Sequence, residues 1–284
     1  MPRKLLNATL NRRTLIGALA VGAAVSAQAS SSGGTGVDPR NPLGNFGALY
    51  RKLRYRSDDG HLFWWLSGTK YGQVDNELRP LHSLEACAII RVRSTGSGFD
   101  ATSLEHVFYT DLETGRPLER MLNPFSGEMV QYRRTPARAV TIHYDADASF
   151  TLPETKGGPR VEFRRSKGIL VRHGGDVWLQ DDSSTTVTPP GGTPSHGNDW
   201  STFRARFDEI ARPGANFVAA TVHMQSLSGW QGWMKMGERR GGLTSRIVGA
   251  KVASFDDVPA SWRSMLQSAH PEVARDPLGA LDAN

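Results

Sequence analysis

Cysteine is almost missing from this chain. Cys87 stands alone, so no intramolecular disulfide can form, and stability has to come from packing. Several stock motifs are missing too. There is no Gly-x-Ser-x-Gly elbow, no phosphate-binding glycine loop and no dinucleotide fingerprint. The eight histidines are scattered, without His-x-His, His-Glu-x-x-His or Cys-x-x-Cys spacing. A metal site would have to be assembled from separate strands, for example from His106, His143 and His223. The expectation is therefore no cofactor and no metal. Cys87 sits in the middle of an apolar alternation, where a free cysteine usually serves as a small hydrophobe. Long apolar runs are lacking as well: Leu15 to Val25 is too short to span a bilayer as a mature helix.

That short run belongs to something else. Arg3, Lys4, Arg12 and Arg13 precede it, and Ala27-Gln28-Ala29 follows as a small-x-small cleavage site. "NRRTLI" resembles a twin-arginine export signal. Residues 1–29 are read as that signal and 30–37 as a flexible tether, which leaves a protein exported already folded to the periplasm with no stable membrane insertion. The chain carries 34 Lys/Arg and 28 Asp/Glu. Taking the leader's four basic residues away leaves 30 against 28, so the basic balance is a property of the leader. No nucleic-acid partner is expected, because neither a basic field nor a recognition motif remains.

From Tyr55 onward the pattern is short apolar alternation broken by Gly, Pro and Asn. "SLEACAIIRV", "SLEHVFYTD", "RAVTIHYD", "DVWLQD" and "NFVAATVHMQS" read as strands at close spacing. This predicts a mainly β fold: an antiparallel, barrel-like (calycin/lipocalin-like) sheet with short helices at its ends. "GNFGALYRKL" places Phe46, Leu49, Tyr50 and Leu53 at helical spacing, and "DDVPASWRSMLQSA" does the same for Trp262, Met265 and Leu266. Residues 38–270 are read as one domain and 271–284 as a C-terminal tail. "SSTTVTPPGGTPSHGNDW" (Ser183 to Trp200) is read as a long surface loop or lid. In "GHLFWWLSGTKYG" (Gly60 to Gly72), Phe63 and Trp65 point one way, and Trp64 and Leu66 the other. A strand apolar on both faces is buried on both, so Trp64 and Trp65 are expected in two different compartments.

The fragments "DPRNPLGNFGALYRKLR", "FWWLSGTKYG", "FYTDLETGRPLERMLNPFSGE", "GWMKMGERRGG" and "KVASFDDVP" together resemble an exported bacterial family, domain-of-unknown-function family 1838. The resemblance implies one shared domain and carries no activity with it.

Candidate chemistry rests on polar groups placed on strand faces. Glu85 and Arg91 share a face of one strand, and Glu105 and Tyr109 share a face of the next. If the two strands pair and those faces look inward, two carboxylates, a phenol and a guanidinium converge. A buried carboxylate can take a proton, and Tyr or Arg can stabilise an oxyanion. Set against this, alternation also puts polar groups on the water face of an ordinary strand. "SGWQGWMKMG" supplies Trp230, Trp233 and Met236, either as pocket wall or as barrel plug. Trp65, Tyr71 and His106 complete the expected ligand contacts. The resulting expectation is a protein enclosing a small, largely apolar or aromatic organic molecule, leaning to a cofactor-independent lyase or isomerase. The alternatives are a non-catalytic periplasmic binding protein and a structural envelope protein.

Overall fold

A computed structural model describes residues 44–132, 137–151, 160–165, 168–188 and 192–282. The expected signal and tether lie outside the described residues.

The first element is the helix α1 (Phe46–Arg54). Asn45 caps it by accepting the Ala48 N–H at 3.1 Å, and Phe46, Tyr50 and Leu53 bury one stripe. Long strands follow: β1 (Gly60–Val74), β2 (Glu77–Ser94) and β3 (Gly98–Thr110). The β1–β2 connection is the two-residue turn Asp75-Asn76, with Asp75 at φ 51°, as a tight hairpin requires. A small ribbon, β4 (Arg120–Leu122) and β5 (Met129–Gln131), stands apart as its own two-stranded sheet. Then come β6 (Val140–Asp145), β7 (Phe150–Thr151), β8 (Arg160–Arg165) and β9 (Ile169–His173). The chain continues through β10 (Asp176–Thr188), β11 (Ser195–Arg206), the short helix α2 (Phe207–Ala211), β12 (Ala220–Ser228) and β13 (Gly242–Val252). It closes with α3 (Ala260–Ala269) and α4 (Pro271–Arg275).

The main sheet is antiparallel, in the order β7-β6-β3-β2-β1-β13-β12-β11-β10-β8, with β9 also pairing to β10. It curls into a half-barrel. The two ends of the sheet meet through side chains: the rings of Phe150 on β7 and Phe163 on β8 are 5.9 Å apart, and Arg165 donates to the Ala148 carbonyl at 3.0 Å. Gly68 permits the sharp coil. A Cβ there would lie 2.2 Å from the Arg246 carbonyl oxygen on the neighbouring β13, so only glycine lets the two strands close up.

The strand apolar on both faces is explained by this curl. Leu62, Trp64 and Leu66 enter the inner core, where the Trp64 ring stands edge-on to Phe203 at 5.4 Å. Phe63 enters a second core on the convex side and Trp65 packs against it, under Val258, Trp262, Leu266 and Val273. The inner compartment is stoppered at one end by α1. At the other end sits the β4–β5 ribbon, packed on the turn that carries Trp233 and Met234. Asn123 holds that stopper: fully buried, it donates to the Met234 carbonyl at 2.9 Å and to the Met236 sulfur. Gly72 makes room for it, since a Cβ would sit 2.3 Å from the Phe125 ring.

Two expectations need correction. Ser183 to Trp200 is not a surface loop: apart from residues 189–191, which lie outside the described residues, its ends belong to the paired strands β10 and β11. Its Ser and Thr residues are strand-compatible, and alternate ones face the interior. Residues 271–282 are not a loose tail either. They form α4 and a final 3₁₀ turn, and Val273 and Leu281 are buried against the convex face. No helix among the described residues is long and apolar enough to cross a membrane.

Candidate functional site

Cross-strand register decides which predicted residues can meet, because residues directly opposite one another share a face. Glu85 stands opposite Phe108, while Glu105 stands opposite Ala88 and Tyr109 opposite Leu84. The expected cluster is therefore split. Glu85 and Arg91 lie on the convex face. There Glu85 accepts from Ser261 of α3 at 3.3 Å, and Arg91 makes a two-pronged pair with Asp282 at 2.8 and 2.6 Å. Both fasten the C-terminal helices to the sheet. Trp65 and Tyr71 share that outward phase of β1. His106 does as well: it is buried, with its ring 4.7 Å from His270. Burial, then the neighbouring His270, pushes the His106 pKa down to about 4, so it is neutral at physiological pH. His143 pairs with Asp100 on β3, at the β6 side of the sheet, and His223 is exposed on β12. Among the described residues no group of three His, Cys, Asp or Glu is placed to hold a metal ion. Cys87 is fully buried, and desolvation raises its thiol far above the ordinary value, with Glu105 adding to the effect. It is not a poised nucleophile.

Glu105 and Tyr109 face the interior. Their surroundings give the compartment its character. The neighbouring inward positions are small: Gly68, Ala86 and Ala88 on β1 and β2, and Ser201, Ser226 and Ser245 on β11, β12 and β13. Two acids reach into the same interior among these short side chains. Glu105 enters from β3 and Asp199 from β11. Desolvation, then the charge of Asp199, lifts Glu105 to about 8. Desolvation lifts Asp199 to about 7, against the opposing pull of the Lys70 ammonium. Among the described residues, Glu105 Oε1 and Asp199 Oδ2 have no hydrogen-bond partner. Buried oxygens of this kind normally have a hydrogen-bond partner.

Glu105 also stands where the wall is thinnest. β6 pairs with β3 only as far as Ser103. Beyond it no described strand borders β3 until Thr110 bridges Pro117. Glu105 is accordingly half-buried, although protein surrounds its carboxyl group.

Toward the stopper, the interior becomes aromatic. Tyr109 stacks on Tyr132 with ring centres 5.1 Å apart, His82 stands edge-on to Tyr109 at 4.5 Å, and Trp233 packs on Tyr132 at 4.4 Å. Trp233 donates to Gln231 at 2.6 Å and Trp230 to the Arg239 carbonyl at 2.9 Å, while Met236 is buried against Asn123. The predicted Trp/Met segment is thus the stopper of the same compartment that holds Glu105. Toward α1 the interior is cationic. Arg54 and Arg165 converge on Asp181, one guanidinium to each carboxylate oxygen. Beside them is a cavity of about 20 Å³ that Asp199 and Ser201 also line.

Sequence reasoning missed Asp199, Lys70, His82 and Tyr132. Asp199 lies in a segment that composition makes look like a loop. Lys70 and His82 flank a bulge in β2 at Leu81, where the pairing with β1 shifts register. A signal was available for Asp199: it is two residues from Ser201 and four from Phe203, an inward phase of period two.

The class that fold and site define is a curled antiparallel sheet, stoppered at both ends, with a pair of carboxyl groups inside. The chain belongs to the family described as "Protein of unknown function (DUF1838)", whose model matches residues 59–284. The match runs through α4 to the end of the chain. A search of curated proteins found no match.

Proposed function

We propose that this protein encloses a small organic molecule in its half-barrel and acts on it by carboxylate acid–base chemistry, as a cofactor-independent lyase or isomerase. The observation that carries the reading is the Glu105–Asp199 pair, two interior carboxyl groups with oxygens left unpartnered among the described residues. Two carboxyls in unlike surroundings supply an acid and a base at one pH. Burial and the charge of Asp199 keep the proton on Glu105, which serves as the acid. The Lys70 ammonium opposes the rise at Asp199, which serves as the base. Tyr109, Tyr132, Trp233 and Met236 form the apolar wall against which a flat or aromatic part of the molecule rests. The N-terminal run read as an export signal supports a periplasmic setting for this work.

The same walls would serve a carrier without chemistry, and the test separates the two. Protein purified from its own periplasm is analysed by native mass spectrometry for a retained small molecule, which is then supplied to fresh protein. Turnover by the wild type, abolished in Glu105→Gln and Asp199→Asn while the molecule still binds, supports the enzyme. Binding with no conversion leaves the carrier and sinks the acid–base reading.

A further inference from the structure

We infer that α3 and α4 form an acid-released cover: protonation of His106, beneath the junction of the two helices, loosens them from the convex face of the sheet. This goes beyond the proposed activity and does not depend on it.

The cover is held in a way that allows release. Residues 260–282 take no part in the sheet ladder. They hold to the sheet by apolar contact, with Trp262, Leu266 and Val273 packed over Phe63, Leu104 and Phe108. Two polar ties add to this, Ser261 to Glu85 and Asp282 to Arg91. A segment outside the ladder opens at lower cost than the strands beneath it.

His106 stands between Leu104 and Phe108 on the outer phase of β3. It is 6 % exposed, and its Nε2 is buried without a partner among the described residues. Its ring lies 4.7 Å from that of His270, tilted by 53°. His270 belongs to both helices. Its N–H donates to the Leu266 carbonyl of α3 at 2.7 Å, and its carbonyl accepts from Ala274 of α4 at 3.0 Å. The two imidazoles therefore meet where the cover folds over the sheet.

The charged groups around His106 give a proton little support. β2 places Cys87 directly opposite it, with Glu85 and Arg91 on the same outer face. Both of those are engaged, with Ser261 and Asp282. α3 carries Arg263, and α4 carries Glu272 and Arg275. Glu105, the next residue on β3, faces the interior. Glu272 favours a charged His106, but it already stands 3.8 Å from Nδ1 of His270. An imidazolium at His106 thus carries an N–H without an acceptor, and it repels His270 once that ring is protonated too. Lifting the helices lets both rings reach water. His106 holds its proton less tightly under the cover than in water. Closure is therefore favoured in full above about pH 6.5, and less and less as pH falls toward about 4. Between pH 7.5 and 5 the opening constant rises on the order of 30-fold.

Hydrogen exchange of the α3 and α4 amides, read by mass spectrometry at pH 7.5 and 5 and corrected for the chemical rate, tests this. In the wild type these amides should open about 30-fold more often at pH 5, while those of β1 do not. In His106→Phe, which takes no proton and suits the apolar surroundings, the rise should shrink below about threefold. An unchanged opening in the wild type, an equal rise in β1, or an undiminished rise in His106→Phe would each overturn the inference. If the phenylalanine variant does not fold, the wild-type comparison of the two helices with β1 decides alone.

Discussion

Replacing Lys251 by methionine tests what keeps the α1 stopper in place. Lys251 lies on β13, is 2 % exposed, and points at the C-terminal end of α1. Its Nζ donates at 2.8 Å to each of three carbonyls, those of Lys52, Leu53 and Tyr55. These include carbonyls that a helix end leaves without internal partners. Burial, with Arg56 and Lys52 nearby, pulls the lysine pKa well below its ordinary value. Three acceptors nevertheless need three N–H donors, which only the ammonium form supplies, and the negative end of the helix dipole favours that form. Methionine conserves the volume of the stem and removes every donor, leaving the carbonyls at the α1 end to find water by lifting the helix. Leaving three carbonyls without their donor, at about 1–3 kcal/mol each before water recovers part of it, costs about 3–5 kcal/mol in all. In a domain of this size that corresponds to a fall in melting temperature of roughly 10–15 °C. The assay is equilibrium urea unfolding of wild type and Lys251→Met, with trypsin cleavage after Arg51 or Lys52 as a local readout. A loss below about 1 kcal/mol, the net worth of one ordinary hydrogen bond, with α1 still resistant to trypsin, would refute the reasoning.

Two more outcomes are expected. Glu105 and Asp199 hold their protons more tightly in the folded than in the unfolded chain. Their stabilising contribution is therefore complete below the ordinary carboxyl range and drains away as pH rises through about 7 and 8. Glu105→Gln should match the wild type near pH 4 and exceed its stability at pH 9 by on the order of 3 kcal/mol, measured as thermal unfolding across pH; curves that stay parallel contradict the placement of Glu105. Trp64→Phe should cost about 2–3 kcal/mol, since it opens space in the inner core and leaves the Arg54 carbonyl without its 2.8 Å donor. Trp65→Phe removes an indole N–H that is buried without a partner among the described residues and should cost less than about 1 kcal/mol by denaturant midpoint. Equal losses would mean that the two tryptophans do not occupy different compartments.

The sequence alone carried what a single segment can encode. Phe63, Trp64, Trp65 and Leu66 in succession required burial on both faces of β1, and the structure supplies an inner core and a helix-covered outer one. The stripe of Phe46, Tyr50 and Leu53 marked α1, and that of Trp262 and Leu266 marked α3. The pairing of Glu105 with Tyr109 on one face was also legible, because period two is a property of one strand. What only tertiary structure decided was phase. Whether Glu85 joins Glu105 depends on the hairpin register that sets Ala88 opposite Glu105 and Phe108 opposite Glu85. A slip of one residue would reverse the answer, and no local pattern fixes that slip. Asp199 was hidden for a related reason. Its segment is polar because it lines a polar interior, and composition does not distinguish a strand facing buried carboxyl groups from a loop facing water. Long-range pairing distinguishes them, since it sets which backbone groups are satisfied by neighbouring strands and which side chains are thereby turned inward.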